Sequence, residues 1–115
     1  MTFEKLTSCI PCTVVVRGEN HDSAQIKTLV VSDLMSDVLT RTEDNFVIVT
    51  CLNSDQVVRT ADIVGAVGVL LVNGKEPQEN MKKLAEENGL TLLATPNDSY
   101  RVCIAVGSVL EKEKT

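Results

Sequence analysis

The chain predicts an α/β fold in one domain, a mainly parallel sheet built from βα units with helices packed against it. Three observations carry this reading. From Asn45 onward, β-branched apolar runs alternate with apolar residues at helical spacing, and parallel strands joined by helices cross over in the right-handed sense. Each run stops at a small polar corner, and Gly65 and Gly89 stand where helices should end in a left-handed cap. At 115 residues the chain has the length of a single domain, with no linker, internal repeat or low-complexity tract, so residues 1–115 are expected to fold as one unit.

The elements follow in order. Thr2 to Thr7 suits a short helical turn, and Thr13 to Arg17 a β-branched strand that Gly18-Glu19-Asn20 ends, with His21-Asp22-Ser23 continuing the polar turn. The next strand runs from about Ile26 to Val31; nothing local decides whether these two strands pair or diverge. Ser32 or Asp33 can cap a helix that places Leu34, Met35, Val38 and Leu39 on one face. Phe46-Val47-Ile48-Val49-Thr50-Cys51 is a continuous apolar strand of the kind buried on both faces, and is expected to be central. Asn53 or Ser54 caps a helix carrying Val57, Val58, Ala61 and Val64. Val67 to Val72 gives another strand, Asn73-Gly74-Lys75-Glu76 a turn, and Pro77 the first position of a helix carrying Met81, Leu84 and Ala85. Leu90 to Ala94 is the last strand. Thr95-Pro96-Asn97-Asp98 then starts a helix with Val102, Cys103, Val106, Val109 and Leu110 as its buried stripe, and the tail from Glu111 to Thr115 is expected to fray.

Composition narrows the function classes. With 43% hydrophobic and 23% charged residues the chain can build both a core and a solvated exterior, and with no Trp, one Tyr and two Phe that core is aliphatic. The scarcity of aromatic rings removes stacking platforms for single-stranded nucleic acid, and a net charge of −5 opposes binding to a phosphate backbone, so no nucleic-acid partner is expected. No apolar run approaches the ~20 residues that cross a bilayer, and the start of the chain lacks a basic segment followed by a secretory core. The expected location is the cytoplasm, with no membrane partner.

Four cysteines without an export signal are expected to be reduced thiols. Cys51 and Cys103 fall on apolar patterns and read as core. Cys9-Ile10-Pro11-Cys12 has redox spacing, but a β-branched strand follows it instead of a helix, and zinc would need two further soft ligands, so structural cysteines are the leading reading and no metal or cofactor is expected. The chain has no Gly-rich phosphate loop, and its lone His21 sits in a polar turn without a nucleophile beside it, where a solvated role outweighs catalysis. No catalytic residue is assigned.

The corners carry the functional expectation. In open α/β sheets the carboxyl ends of parallel strands share one edge, where helix N-termini and free backbone N–H groups can hold a ligand. The candidate ligand-binding residues on that edge are Ser32, Asp33, Ser36 and Asp37, then Thr50 and Asn53, then Asn73 and Gly74, and finally Thr95. The competing reading is that these residue types only cap helices. Asp33 and Asp37 could share a helix face, but two carboxylates hold a divalent cation only if a ligand's phosphates contribute.

Val31-Ser32-Asp33-Leu34-Met35-Ser36-Asp37-Val38, Val49-Thr50 with Asn53 and Gln56-Val57-Val58-Arg59-Thr60-Ala61, Leu71-Val72-Asn73-Gly74-Lys75-Glu76-Pro77, and Leu93-Ala94-Thr95-Pro96 together resemble the DRTGG domain family across nearly the whole chain. The namesake motif departs from the pattern. Asp22-Ser23 stands where Asp-Arg is typical and Thr28-Leu29 where two glycines are, which removes a bidentate phosphate clamp and a close backbone approach. The resemblance implies a fold like the N-terminal non-catalytic domain of HPr kinase/phosphorylase. It also implies a regulatory or assembly role, as in DRTGG domains beside CBS domains in family II pyrophosphatases and in free-standing proteins encoded near iron hydrogenases. The resulting expectation is a non-enzymatic, homodimeric module that binds a small ligand such as a nucleotide, or a partner enzyme of energy or redox metabolism. The alternatives are a small enzyme with an interfacial carboxylate site at Asp33, Asp37 and Asn53, and a structural subunit held by an exposed sheet edge.

Overall fold

A computed structural model describes residues 1–114; Thr115, the end of the tail expected to fray, lies outside the described residues. In chain order the elements are α1 (Phe3–Cys9), β1 (Thr13–Val16), β2 (Thr28–Val31), α2 (Met35–Val38), β3 (Phe46–Thr50), α3 (Asp55–Val64), β4 (Gly68–Leu71), α4 (Glu79–Asn88) and β5 (Thr91–Ala94). The chain closes with α5 (Ser99–Val102), which runs through a π-helical segment, Cys103–Gly107, into α6 (Ser108–Glu113). The residues from Glu111 to Glu113 are thus helical, contrary to the expected fraying, because Leu110 is buried and anchors that turn.

The strands form one sheet in the order β1-β5-β4-β3-β2. The pairs β2/β3, β3/β4 and β4/β5 are parallel, and β1 runs antiparallel to β5. The two strands whose relation the sequence left open therefore diverge to opposite edges. β3 is inner and buried along its whole length, while β4 is the middle strand.

Alternate side chains of β2 to β5 feed two apolar layers. Val30, Phe46, Ile48, Val69, Leu71 and Leu92 pack beneath α2, α3 and α4 with Met35, Val57, Ala61 and Met81. Val47, Val49, Leu70 and Leu93 pack on the other face with Phe3 and Leu6 of α1 and with Val102, Val106 and Leu110. The result is a sheet sandwiched between helices, an α/β architecture. Left-handed Gly65 and Gly89 end α3 and α4, with their N–H groups on carbonyls of the last turn.

Several local expectations change. α2 is one turn long; Met35 and Val38 are buried, but Leu34 and Leu39 are exposed, so the anticipated four-residue face is half realised. Pro77 lies two residues ahead of α4, whose N-cap is Gln78. Cys103 is exposed and not in the core. The wider π turn keeps positions four apart in line, so Val102, Val106 and Leu110 point inward while Cys103 is rotated out.

Candidate functional site

Because β2 to β5 are parallel, their carboxyl ends share one edge of the sheet, and the four polar corners form a row along it. Each corner is tied to the next. Asp33, just past β2, accepts hydrogen bonds at Oδ1 from the Thr50 hydroxyl at 2.8 Å and the Cys51 N–H at 2.9 Å. The Cys51 N–H above all, with the Thr50 hydroxyl, holds the Asp33 carboxyl below its ordinary range. Asp33 therefore caps the end of the neighbouring strand. It does not cap α2, whose N-cap is Leu34 and has no side-chain bond. Ser32 instead closes a local turn, its hydroxyl accepting from the Leu34 N–H at 3.1 Å.

The next links are equally specific. The Asn53 side chain donates to Glu76 O at 2.7 Å, and the Asn53 carbonyl accepts from the Gln78 N–H at 3.1 Å, so the β3 corner holds the approach to α4. Ser54, the N-cap of α3, makes no side-chain cap bond. Asn73 and Gly74 both adopt left-handed backbone, with φ of 63° and 65°. That turn aims their N–H groups at Asn97 O (2.8 Å) and Thr95 O (3.0 Å). Thr95 is buried; its hydroxyl donates to Pro11 O at 2.6 Å and accepts from the Asn97 N–H at 3.2 Å, which ties β5 to the lead-in of β1.

The direction of the connections matters for binding. The β4 connection leads to α4 on one face and the β5 connection to α5 on the other, the divergence that opens a ligand crevice in many α/β sheets. Here the Asn73–Asn97 and Gly74–Thr95 backbone bonds span that divergence. Of the nine sequence-derived residues, Thr50 and Thr95 are buried and spend their hydroxyls on the fold, and Ser32 and Asn53 are half-buried. Asp33, Ser36, Asp37, Asn73 and Gly74 are exposed along the row.

At the opposite, amino end of the sheet lies a residue that sequence reasoning misplaced. His21 is not solvated: it is 6% exposed, stacked on Phe3 with ring centroids 5.0 Å apart, and its Nδ1 is 3.0 Å from the Thr91 hydroxyl. The same hydroxyl accepts from the Gly18 N–H at 3.1 Å, which leaves its proton for Nδ1 and suits a neutral ring. Burial, reinforced by Arg17, pushes the imidazole below its ordinary value. No local signal announced this, since Thr91 lies 70 residues away in the chain. Beside it a cavity of about 240 Å³ opens between the ends of α3 and α4, lined by Asn20, Asp62, Asn88 and Thr91 over Val58, Ala61 and Leu90.

All four cysteines are free thiols. Burial pushes the Cys12 thiol up to about 11, which keeps it protonated at neutral pH, and the Cys9 thiol bonds to Lys5 O. A hydrogen bond to Asp33 raises Cys51. Among the described residues no group of three His, Cys, Asp or Glu side chains is arranged to hold a metal ion, and no helix is long and apolar enough to cross a membrane.

The DRTGG domain model matches residues 5–109. A similar solved structure is that of the CBS and DRTGG domains of the regulatory region of a Clostridium perfringens pyrophosphatase, complexed with the activator diadenosine tetraphosphate. The TM-score is 0.67 at 13% identity, over 91% of this chain and 45% of that one, so the likeness is one of fold and the chain spans less than half of that regulatory region. Curated protein sequences give no significant match.

Proposed function

The chain belongs to the DRTGG domain family, and from that premise we propose that it is a non-catalytic regulatory module of the cytoplasm, working as a homodimer. It binds a small ligand, with a nucleotide as the first class to test, or docks on a partner enzyme of energy or redox metabolism, a hydrogenase among them. The observation that carries this reading is the shared fold with domains of a regulatory region crystallised with a dinucleotide activator.

The ligand surface in this reading is the carboxyl-end row. Thr50, Thr95, Ser32 and Asn53 support it, and Asp33, Ser36, Asp37, Asn73 and Gly74 face the ligand. Asp33 and Asp37 would repel a bare polyphosphate in a chain of net charge −5, so a nucleotide binds there with a divalent cation between carboxylates and phosphates. The low-held Asp33 carboxyl weighs against the alternative of an interfacial acid–base enzyme, because a general base working near neutrality needs a raised pKa.

Calorimetry with AMP, ADP and diadenosine tetraphosphate, each with and without Mg²⁺, tests the ligand version. Heat that requires Mg²⁺ and is lost in Asp37→Ala supports it. Absence of heat for every nucleotide in both conditions removes it and leaves the partner-docking version, which affinity capture with hydrogenase subunits would then examine.

A further inference from the structure

The two edges of the sheet are built differently. β1 is interrupted by a bulge between Val14 and Val16, is preceded by Pro11, and is followed by Arg17 in an exposed ion pair with Asp22, all features that discourage further strand pairing. β2 has none of these. Its residues are Thr28-Leu29-Val30-Val31, it pairs regularly with β3, and its outer side is open. The Ser32 N–H bonds to Val49 O, so by alternation Leu29 and Val31 turn their backbone N–H and C=O groups away from β3. Val31 on this edge is 43% exposed, and further exposed apolar side chains lie at the two ends of α2, Leu34 at 57% and Leu39 at 47%, and on the π segment, Ile104 at 50%. A groove of about 150 Å³ runs beside it, lined by Leu29, Val31, Cys103, Gly107 and Leu110, with Thr28 and Glu111 as its polar members.

We propose that a second copy of this chain docks on this edge, β2 pairing antiparallel with β2 of its symmetry mate so that two five-stranded sheets become one. The inference deepens the homodimer named above and rests on it. Charge complementarity selects both the occupant and the register. Centred on Val30, the antiparallel register sets Lys27 against Asp33, Thr28 against Ser32 and Leu29 against Val31 of the second copy, and the twofold axis repeats each pair. Leu29 and Val31, which carry the outward backbone groups, then face each other as hydrogen-bonded pairs. Centring on Leu29 would set Lys27 against Val31, and centring on Val31 would set Asp33 against Leu29; each leaves a charge on an aliphatic side chain. Lys27 is exposed and has no ion-pair partner among the described residues, and Asp33, whose Oδ1 is taken by the Thr50 hydroxyl and the Cys51 N–H, is exposed and keeps Oδ2 for a cation. Val31 of the second copy falls beside Leu29, over the groove, where open space above Gly107 receives it.

Sedimentation velocity of the full chain over a concentration series reads the interface. The wild type is expected to sediment at twice the mass of the 12.5 kDa chain. Val31→Lys, at an exposed position, is expected to weaken self-association by more than about tenfold, and Lys27→Glu by about tenfold, while Lys27→Arg leaves it unchanged. Val14→Lys on the bulged edge is the control and leaves the dimer intact. Far-UV circular dichroism confirms folding of each variant, and the Lys27 pair decides the matter if Val31→Lys does not fold. A wild type monomeric throughout overturns both the homodimer and this interface. A dimer insensitive to Val31→Lys and Lys27→Glu, or one that Val14→Lys dissociates, keeps the homodimer and overturns the β2 edge.

Discussion

The two ends of the sheet use one device under opposite conditions. At the carboxyl end the Thr50 hydroxyl meets Asp33, a carboxylate in contact with water; at the amino end the Thr91 hydroxyl meets His21, a ring sealed under Phe3. Both bonds join segments distant in sequence, and both titratable groups sit below their ordinary values, Asp33 through the hydrogen bonds it accepts and His21 through burial. The difference is what happens when a link is cut. Water can replace a partner of the exposed Asp33, whereas His21 and Thr91 are both buried, so that cutting their bond leaves two interior groups to be satisfied. The amino end is thus the structural anchor, and the exposed Asp33 at the carboxyl row can lose a partner at lower cost.

Glycine substitutions should open the widest gap between the two ends. A Cβ on Gly18 would lie 2.4 Å from Gly89 O and 2.6 Å from Thr91 N, both backbone atoms, so Gly18→Ala is expected to cost about 3 kcal/mol or more. Gly74→Ala meets nothing nearer than Pro96 Cα at 4.0 Å, and only its φ of +65° resists, for about 1 kcal/mol. Urea unfolding of the two variants measures the difference; equal losses would break the comparison.

The hydroxyls come next. Thr91→Val leaves the Gly18 N–H and His21 Nδ1 without a partner in the interior, an expected loss of about 2 kcal/mol, against about 1 kcal/mol for Thr50→Val, whose partners can turn to solvent. Hydrogen exchange at Gly18 and Cys51 would locate each loss.

Acid separates the ends further. Each group has a folded pKa below its unfolded one, so its contribution is complete above the unfolded value and lost as pH falls. For His21 the loss begins near pH 6.5, and for Asp33 only near 3.8. Thermal stability is therefore expected to decline first between neutrality and pH 5, a slope that His21→Gln flattens and Asp33→Asn leaves in place. The smallest effect belongs to Arg17, whose charge helps depress His21: in Arg17→Ala the imidazole pKa should rise slightly, read by NMR on the single histidine.

Short-range patterns make most of the fold legible in the sequence. Phe46 to Thr50 had to be an inner strand because every residue is suited to burial, and Gly65 and Gly89 ended helices because an L side chain resists left-handed backbone. The corner residues were also legible as polar ends of parallel strands. Their partners were not. Asp33 reads locally as a cap for α2, yet it serves the end of β3, because the parallel register of β2 and β3 brings the Cys51 N–H within 2.9 Å of its carboxylate while α2 has no side-chain cap. Cys103 fits an apolar stripe at ordinary helical spacing, and a π segment invisible in the pattern turned it outward.

The sequence by itself determined which segments are strands and helices and which residues mark their ends, because those preferences depend on side-chain shape and on neighbours a few positions away. Only the tertiary structure decided that β1 and β2 lie at opposite edges, that His21 is buried and that the corner hydroxyls are already engaged. Those outcomes depend on contacts between residues tens of positions apart, which no local pattern of residues encodes.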